Sequence, residues 1–311
     1  MVMGMMDRLA GAPISWGVCE VPGWGIELPP SRVLAEMQQL GLTATELGSD
    51  GYLPTDPVEL KDMCAQFGLQ MIGGFVPLVV HRADQVDATF EAAHRAASLM
   101  SAAGATVFVT SAVTDWDWGP RSELTTDDWQ FASKTLAQLD DLVGSYGLTQ
   151  AIHPHLRTVV ETRADIEALL DVSDVGWTFD MGHMQIGGMD PIEFIDIAFD
   201  RIRHVHLKDV VMDLAQPVFA GEQSIMEGVQ AGMFCNLGRG DVAIGEIVTT
   251  LEARGYDQWY VLEQDAAITA GEPAVGAGPL LDVLASIEYL EGVGASASNP
   301  EATSTKSKGR T

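Results

Sequence analysis

The chain has 311 residues, 47% of them hydrophobic, with 44 acidic against 17 basic side chains and a formal net charge of −27. Such an acidic surface repels phosphate backbones and anionic lipid head groups, which argues against nucleic-acid and membrane partners. No run approaches the roughly 20 apolar residues of a membrane span, the methionine-rich start lacks the apolar core of a secretory signal, and three cysteines without metal-type spacing fit a reducing, cytoplasmic setting.

Short β-rich runs alternate with longer helical patterns. The first strand is read at residues 11–16, and a helix opened by prolines at 30–40. A second strand at 43–47 leads to a helix over 57–67 that stops at Gly68. The third strand, 70–76, precedes an alanine-rich helix over 84–103 closed by Gly104. Strand four, 106–110, is followed by a Trp-rich loop and a helix at 126–146. Strand five at 148–153, a helix at 163–170, strand six at 175–179, a helix at 191–199 and strand seven at 202–207 continue the alternation. Residues 209–240 read as irregular. A helix at 244–254, strand eight at 259–262 and a helix at 278–290 complete it.

Eight strands alternating with eight helices predict parallel strands joined by helical crossovers. A doubly wound open sheet carries a glycine-rich phosphate turn after its first strand, and Ser15-Trp16-Gly17-Val18-Cys19-Glu20 contains none. The expected fold is therefore a single-domain α/β (β/α)8 TIM barrel over residues 11–293, a size normal for that fold. Residues 1–10 form an N-terminal extension, and 294–311, rich in Ser, Thr, Ala and Lys without periodicity, a disordered tail.

Barrels of this kind carry their chemistry at the C-terminal strand ends. There the sequence places Glu46, His81, His153 with His155, Asp180 with His183, His204 and His206 with Lys208 and Asp209, and Glu263 with Asp265. Ionisable groups at the ends of four consecutive strands are costly in a barrel mouth unless paired or metal-bound. A mixed imidazole and carboxylate set suits Mn²⁺ or Co²⁺ first, and also Mg²⁺, Fe²⁺ or Zn²⁺. The expected ligands are His153, Asp180, His206 and Glu263. Glu46 is an alternative to His153, which would then contact substrate alone. Of the seven histidines, only His94 is expected inside a helix, at the surface. Trp16, Trp24, Trp116 and Trp118 lie near strand ends, where an indole can stack on a polyol ring or pack against loops.

Asp180-x-x-His183, His206-x-Lys208-Asp209 and Glu263, in this order, resemble the xylose-isomerase-like superfamily of sugar isomerases, epimerases and dehydratases, over residues 10–290. Within it the chain is most similar to the inosose dehydratases. The similarity lies in His153-Pro154-His155 with Thr158 and Glu161-Thr162, and in Ser224-Ile225-Met226 through Ala231-Gly232-Met233-Phe234 to Leu237-Gly238-Arg239-Gly240-Asp241. The resemblance implies metal-assisted loss of water from a keto-inositol. The segment 15–20 departs from the polar, Asn-rich stretch typical of that family.

An epimerase of this superfamily is expected to use two facing metal-bound carboxylates; the strand-five position here holds His153, so the pair is missing unless Glu161 loops back. Elimination needs one base and one acid beside a polarised ketone. His155, His183, Lys208 and Glu263 are the catalytic candidates, and Trp16, Glu46, His81 and Arg239 the substrate-binding ones. The expected activity is that of a metal-dependent dehydratase acting on a small cyclic keto-polyol. Elimination of another leaving group, keto-sugar isomerisation or epimerisation, and a non-catalytic polyol-binding barrel are the alternatives. Assembly into homo-oligomers is compatible with the sequence.

Overall fold

The computed structural model describes residues 4–121 and 123–297. The strands are β1 (Leu9–Gly11), β2 (Ala44–Glu46), β3 (Gln70–Gly73), β4 (Phe75–Leu78), β5 (Val107–Ala112), β6 (Thr149–Ile152), β7 (Trp177–Asp180), β8 (Ile202–Leu207), β9 (Asp209–Val210), β10 (Phe234–Cys235) and β11 (Tyr260–Leu262). The helices are α1 (Pro30–Gln39), α2 (Pro57–Gln66), α3 (Val86–Ala103), α4 (Thr126–Ser145), α5 (Arg163–Val172), α6 (Met181–Ile186), α7 (Pro191–Ala198), α8 (Met212–Phe219), α9 (Ile225–Gln230), α10 (Ile244–Ala253) and α11 (Pro279–Ala297).

Nine strands pair in the order β3-β2-β1-β11-β8-β7-β6-β5-β4, each pair parallel. The two ends of this order, β3 and β4, are one interrupted strand, so the sheet closes on itself and the expected eight-stranded barrel results. Gly74 is the interruption. A Cβ there would stand 2.9 Å from the Leu47 Cβ, and one on Gly73 3.0 Å from the Val107 carbonyl oxygen. Without side chains the strand can leave β2 and take up β5. Thr106 N donates to the Ile72 carbonyl at 3.0 Å and Val109 N to that of Gly74 at 3.1 Å, which carries the closure across the break.

The strand period of two divides inside from outside. Val205 of β8 joins the large apolar layer with Phe108, Trp177, Phe179, Phe194 and Ile247, between sheet and helices. Its neighbours His204 and His206 face the other way. Ala10, Ala44, Ile72 and Val261 fill the barrel interior below the mouth. Helix starts are fixed by side-chain caps at Asp56, Thr125, Thr162 and Asp190, which satisfy otherwise orphaned N–H groups.

Several local expectations change. The first strand is Leu9–Gly11 rather than 11–16, because Pro13 opens a 3-10 turn over Pro13–Trp16. The "irregular" stretch is an ordered insertion holding α8, α9 and the antiparallel pair β9–β10. His183 lies in α6, so His94 is not alone in a helix. β1 begins inside the span read as an N-terminal extension, and α11 runs through 294–297, read as tail. The remaining tail, 298–311, lies outside the described residues. Among the described residues no helix is long and apolar enough to cross a membrane.

Candidate metal centre

Residue alternation brings the site together. Ala151 and His153, Thr178 and Asp180, His204 and His206, and Val261 and Glu263 are same-face pairs two residues apart. Each puts its second member inward at the top of the barrel. Four donor atoms converge there, all within 4.8 Å of one another: one each from His153, Asp180, His206 and Glu263. His153 Nε2 stands 3.1 Å from His206 Nδ1 and 3.5 Å from Asp180 Oδ2. His206 Nδ1 lies 3.7 Å from Asp180 Oδ2 and 2.6 Å from Glu263 Oε2.

Ligand bonds of about 2.0–2.2 Å place neighbouring donors about 3–3.5 Å apart around a divalent ion, close to this spacing. The fit rests on more than spacing. Asp180 Oδ2 is fully buried and accepts no hydrogen bond, with the Lys208 ammonium 3.5 Å away, so it is an acceptor left open towards the other three. Its partner Oδ1 caps α6, accepting from His183 N at 2.8 Å. Asp-x-x-His is thus the spacing of an N-cap and its N3 residue, which is why His183 stands beside Asp180. Gly182 between them makes room for Lys208, since a Cβ there would be 2.8 Å from the lysine Cγ.

Lys208 is wholly buried. Its ammonium donates to Glu263 Oε1 and to Asp265 Oδ1, each at 2.7 Å, and lies 3.3 Å from His183 Nε2. Burial opposes its charge, but Asp265, Glu263 and Asp180 outweigh that and hold its pKa above the usual lysine value. Desolvation pushes the Asp265 carboxyl up, against the pull of Lys208. The sequence places Asp265 at the strand end without giving it a role. The signal was available, for it sits two residues beyond Glu263 and so on the same face.

His155 and His183 form a second pair, their ring centroids 4.0 Å apart. His155 Nδ1 donates to the Leu156 carbonyl at 2.7 Å, which leaves Nε2 as its acceptor nitrogen. Desolvation, helped by His153 and Lys208, lowers the His155 pKa to about 3. The same burial, with His155 and Lys208 beside it, holds His183 well below its ordinary value. His206 is the opposite case: the carboxylates of Glu263 and Glu46 overcome burial and raise it.

Phe75 and Trp118 flank this pair. Their rings are stacked 6.2 Å apart, and each lies within 6 Å of the His155 ring. Trp118 has φ +53, a left-handed conformation costly for a bulky residue. The Asp115 carboxylate imposes it by accepting from the N–H groups of Asp117 and Gly119.

Other expected residues lie elsewhere. Trp16 is fully buried and its indole N–H donates to Glu36 Oε2 at 2.9 Å, so it shows no face to a substrate. Trp24 is buried and donates to the Ala266 carbonyl, and Trp116, half exposed, to Gln85 Oε1. Glu46 stands behind His206 rather than at a substrate face, bonded to His204 and His206. His81 is outside the donor groups, with burial lowering its pKa. Arg239 is exposed, outside the donor groups. Glu161 does not turn to the metal donors: it accepts from Arg157 N at 2.8 Å and faces Arg121. Asp209 is structural, its carboxylate accepting from the N–H groups of Val210, Gly238, Gly240 and Val242.

A family model described as xylose isomerase-like TIM barrel matches residues 34–287. The rhizopine catabolism protein MocC of Rhizobium meliloti is 32% identical over 270 residues, 84% of this chain and 82% of its own. The inosose dehydratase of Geobacillus kaustophilus (strain HTA426) is 29% identical over 275 residues, 84% of this chain and 89% of its own. The structure of an L-ribulose 3-epimerase superposes with a TM-score of 0.70 over 97% of this chain and 99% of that one. At 18% identity that likeness speaks for the fold alone.

Proposed function

The chain belongs to the xylose isomerase-like TIM-barrel family, and from that premise we propose that it is a divalent-metal-dependent lyase that removes water from a cyclic keto-polyol, with a keto-inositol as first choice. The observation that carries the reading is His153 in the place where a facing carboxylate pair needs an acid. With Glu161 tied to Arg157 and Arg121, Glu263 stands without a carboxylate opposite it. The similarity to an inosose dehydratase over most of both chains supports the same reaction.

His153, Asp180, His206 and Glu263 are the proposed ligands, and Mn²⁺ or Co²⁺ the expected ion. Once bound, the ion supplies Lewis acidity that polarises a ketone and acidifies the adjacent C–H. His155 is kept neutral by burial, with Nε2 free to accept, and takes that proton. The C–H electron pair becomes the new C=C conjugated with the ketone. The C–O bond at the β carbon breaks, and its electron pair leaves with a proton as water. Lys208, with His183 beside its ammonium, gives that proton. Phe75 and Trp118 offer an apolar wall for the C–H face of a ring. Asp180, Glu263 and Asp265 face a single ammonium, that of Lys208.

The test follows ultraviolet absorbance of the conjugated product and exchange of the α proton in deuterated water, with Mn²⁺ or Co²⁺ added. Dehydration that appears with the ion and stops with chelator supports the reading. Interconversion of keto-sugars with solvent exchange and no loss of water makes the protein an epimerase. Binding of the polyol without turnover makes it a binding barrel.

A further inference from the structure

We propose that Glu46 is a positioning residue that decides which nitrogen of His206 is offered to the metal, an inference that rests on the metal reading above. Glu46 ends β2, across the barrel from β8, and is buried. Its Oε1 lies 3.2 Å from His206 Nε2 and 2.7 Å from His204 Nε2. A carboxylate only accepts, so both Nε2 atoms carry protons and donate to it. With its one remaining proton on Nε2, a metal-bound His206 has its lone pair at Nδ1, the atom that faces His153, Asp180 and Glu263. The opposite tautomer sets a lone pair against the Glu46 carboxylate in a dry interior, where such repulsion is strong.

His204 completes the support. Its ring stands edge-on to His206, centroids 5.1 Å apart at 74°, and its N–H occupies the same carboxylate oxygen, so Glu46 cannot swing away. His153 has no such backing, for its Nδ1 is buried without a partner. The two imidazoles of the donor set are therefore unequal: one is held by hydrogen bonds through strand two, the other by packing against Phe75 and His155.

The experiment uses the full chain loaded with Zn²⁺, which is diamagnetic, and reads long-range ¹H–¹⁵N spectra of the histidines. His206 is expected to show a protonated Nε2 and a metal-shifted Nδ1, and the reverse pattern overturns the proposal. In parallel, Zn²⁺ affinity is measured by chelator competition. Glu46→Gln should weaken it about 10- to 100-fold, as loss of an outer partner does, and Glu46→Asp should recover part of the loss. Unchanged affinity in Glu46→Gln overturns the proposal. If that variant does not fold, the spectrum of the unaltered chain still decides. Failure of the unaltered chain to take up either Zn²⁺ or Co²⁺ is a different result: it removes the metal reading, and this inference with it.

Discussion

Asp180 divides its two oxygens between structure and chemistry, one capping α6 and the other pointing into the donor cluster. The two roles separate by substitution. Asn caps a helix about as well as Asp, so Asp180→Asn should keep the fold and lose the metal. Elemental analysis and a thermal melt check this: metal at background with a Tm near that of the unaltered protein is expected, and full metal content sinks the ligand assignment. His206→Ala should empty the site as well. For the proposed proton transfer, His183→Ala should lower kcat far more than it raises KM, the mark of an interaction made in the transition state. Lys208→Met leaves Glu263 and Asp265 buried without their cation, and broken buried pairs cost about 3–5 kcal/mol. Denaturant unfolding should show a loss of that order.

The buried histidines also set a pH dependence. The pKa of His155 is lowered to about 3 in the fold, from an ordinary value of 6.5. Between those values the unfolded chain binds more protons, so stability is present above 6.5 and falls as pH drops towards 3. Melts from pH 7 to pH 4.5 should show a falling Tm, less steep in His155→Gln. An equal slope in that variant would assign the effect to other groups. The inward residues were legible in the sequence because strand alternation and strand ends are local properties. Trp16 was not: whether an indole lines a mouth or a core depends on Glu36, on another element, arriving to take its N–H.

At the scale of elements, the insertion after β8 was the least legible part of the chain. Pro217 inside α8 disguised it, since proline removes a helical donor. The capping box Ser224 to Glu227 that starts α9 is a local signal, but it opens only a six-residue helix. The tie that orders the insertion is long-range. Asp209 gathers four backbone N–H groups from residues 210–242, and Gly240 is required because a Cβ there would be 2.3 Å from Asp209 Oδ1. Asp209→Ala strands those donors, at about 1–3 kcal/mol for each one left buried and unpaired. Some will reach water, so a net loss of roughly 2–4 kcal/mol is expected. Hydrogen exchange should localise the damage to residues 234–242. Protection unchanged there would mean that packing by Phe234 and Leu237, not the carboxylate, holds the loop.

For the whole molecule, the charge of −27 sets long-range behaviour while the barrel sets shape. At ordinary ionic strength the protein should shift neither random duplex DNA in a mobility assay nor sediment with anionic vesicles. A salt-dependent shift with duplex would contradict this. The architecture was legible because eight alternations leave few topologies, whereas the exchange of partners at Gly74 depends on clearances to Leu47 and Val107 that no local pattern records.

That exchange puts a step into one stave of the barrel. The first half of that strand pairs with β2 and the second half with β5, and the backbone runs unbroken between them. The two halves are joined by Gly74 alone. Phe75 is the first residue beyond Gly74, and its ring lies against those of His153 and His155. The apolar wall beside the histidine pair is thus set in place by the same step of the backbone that closes the barrel.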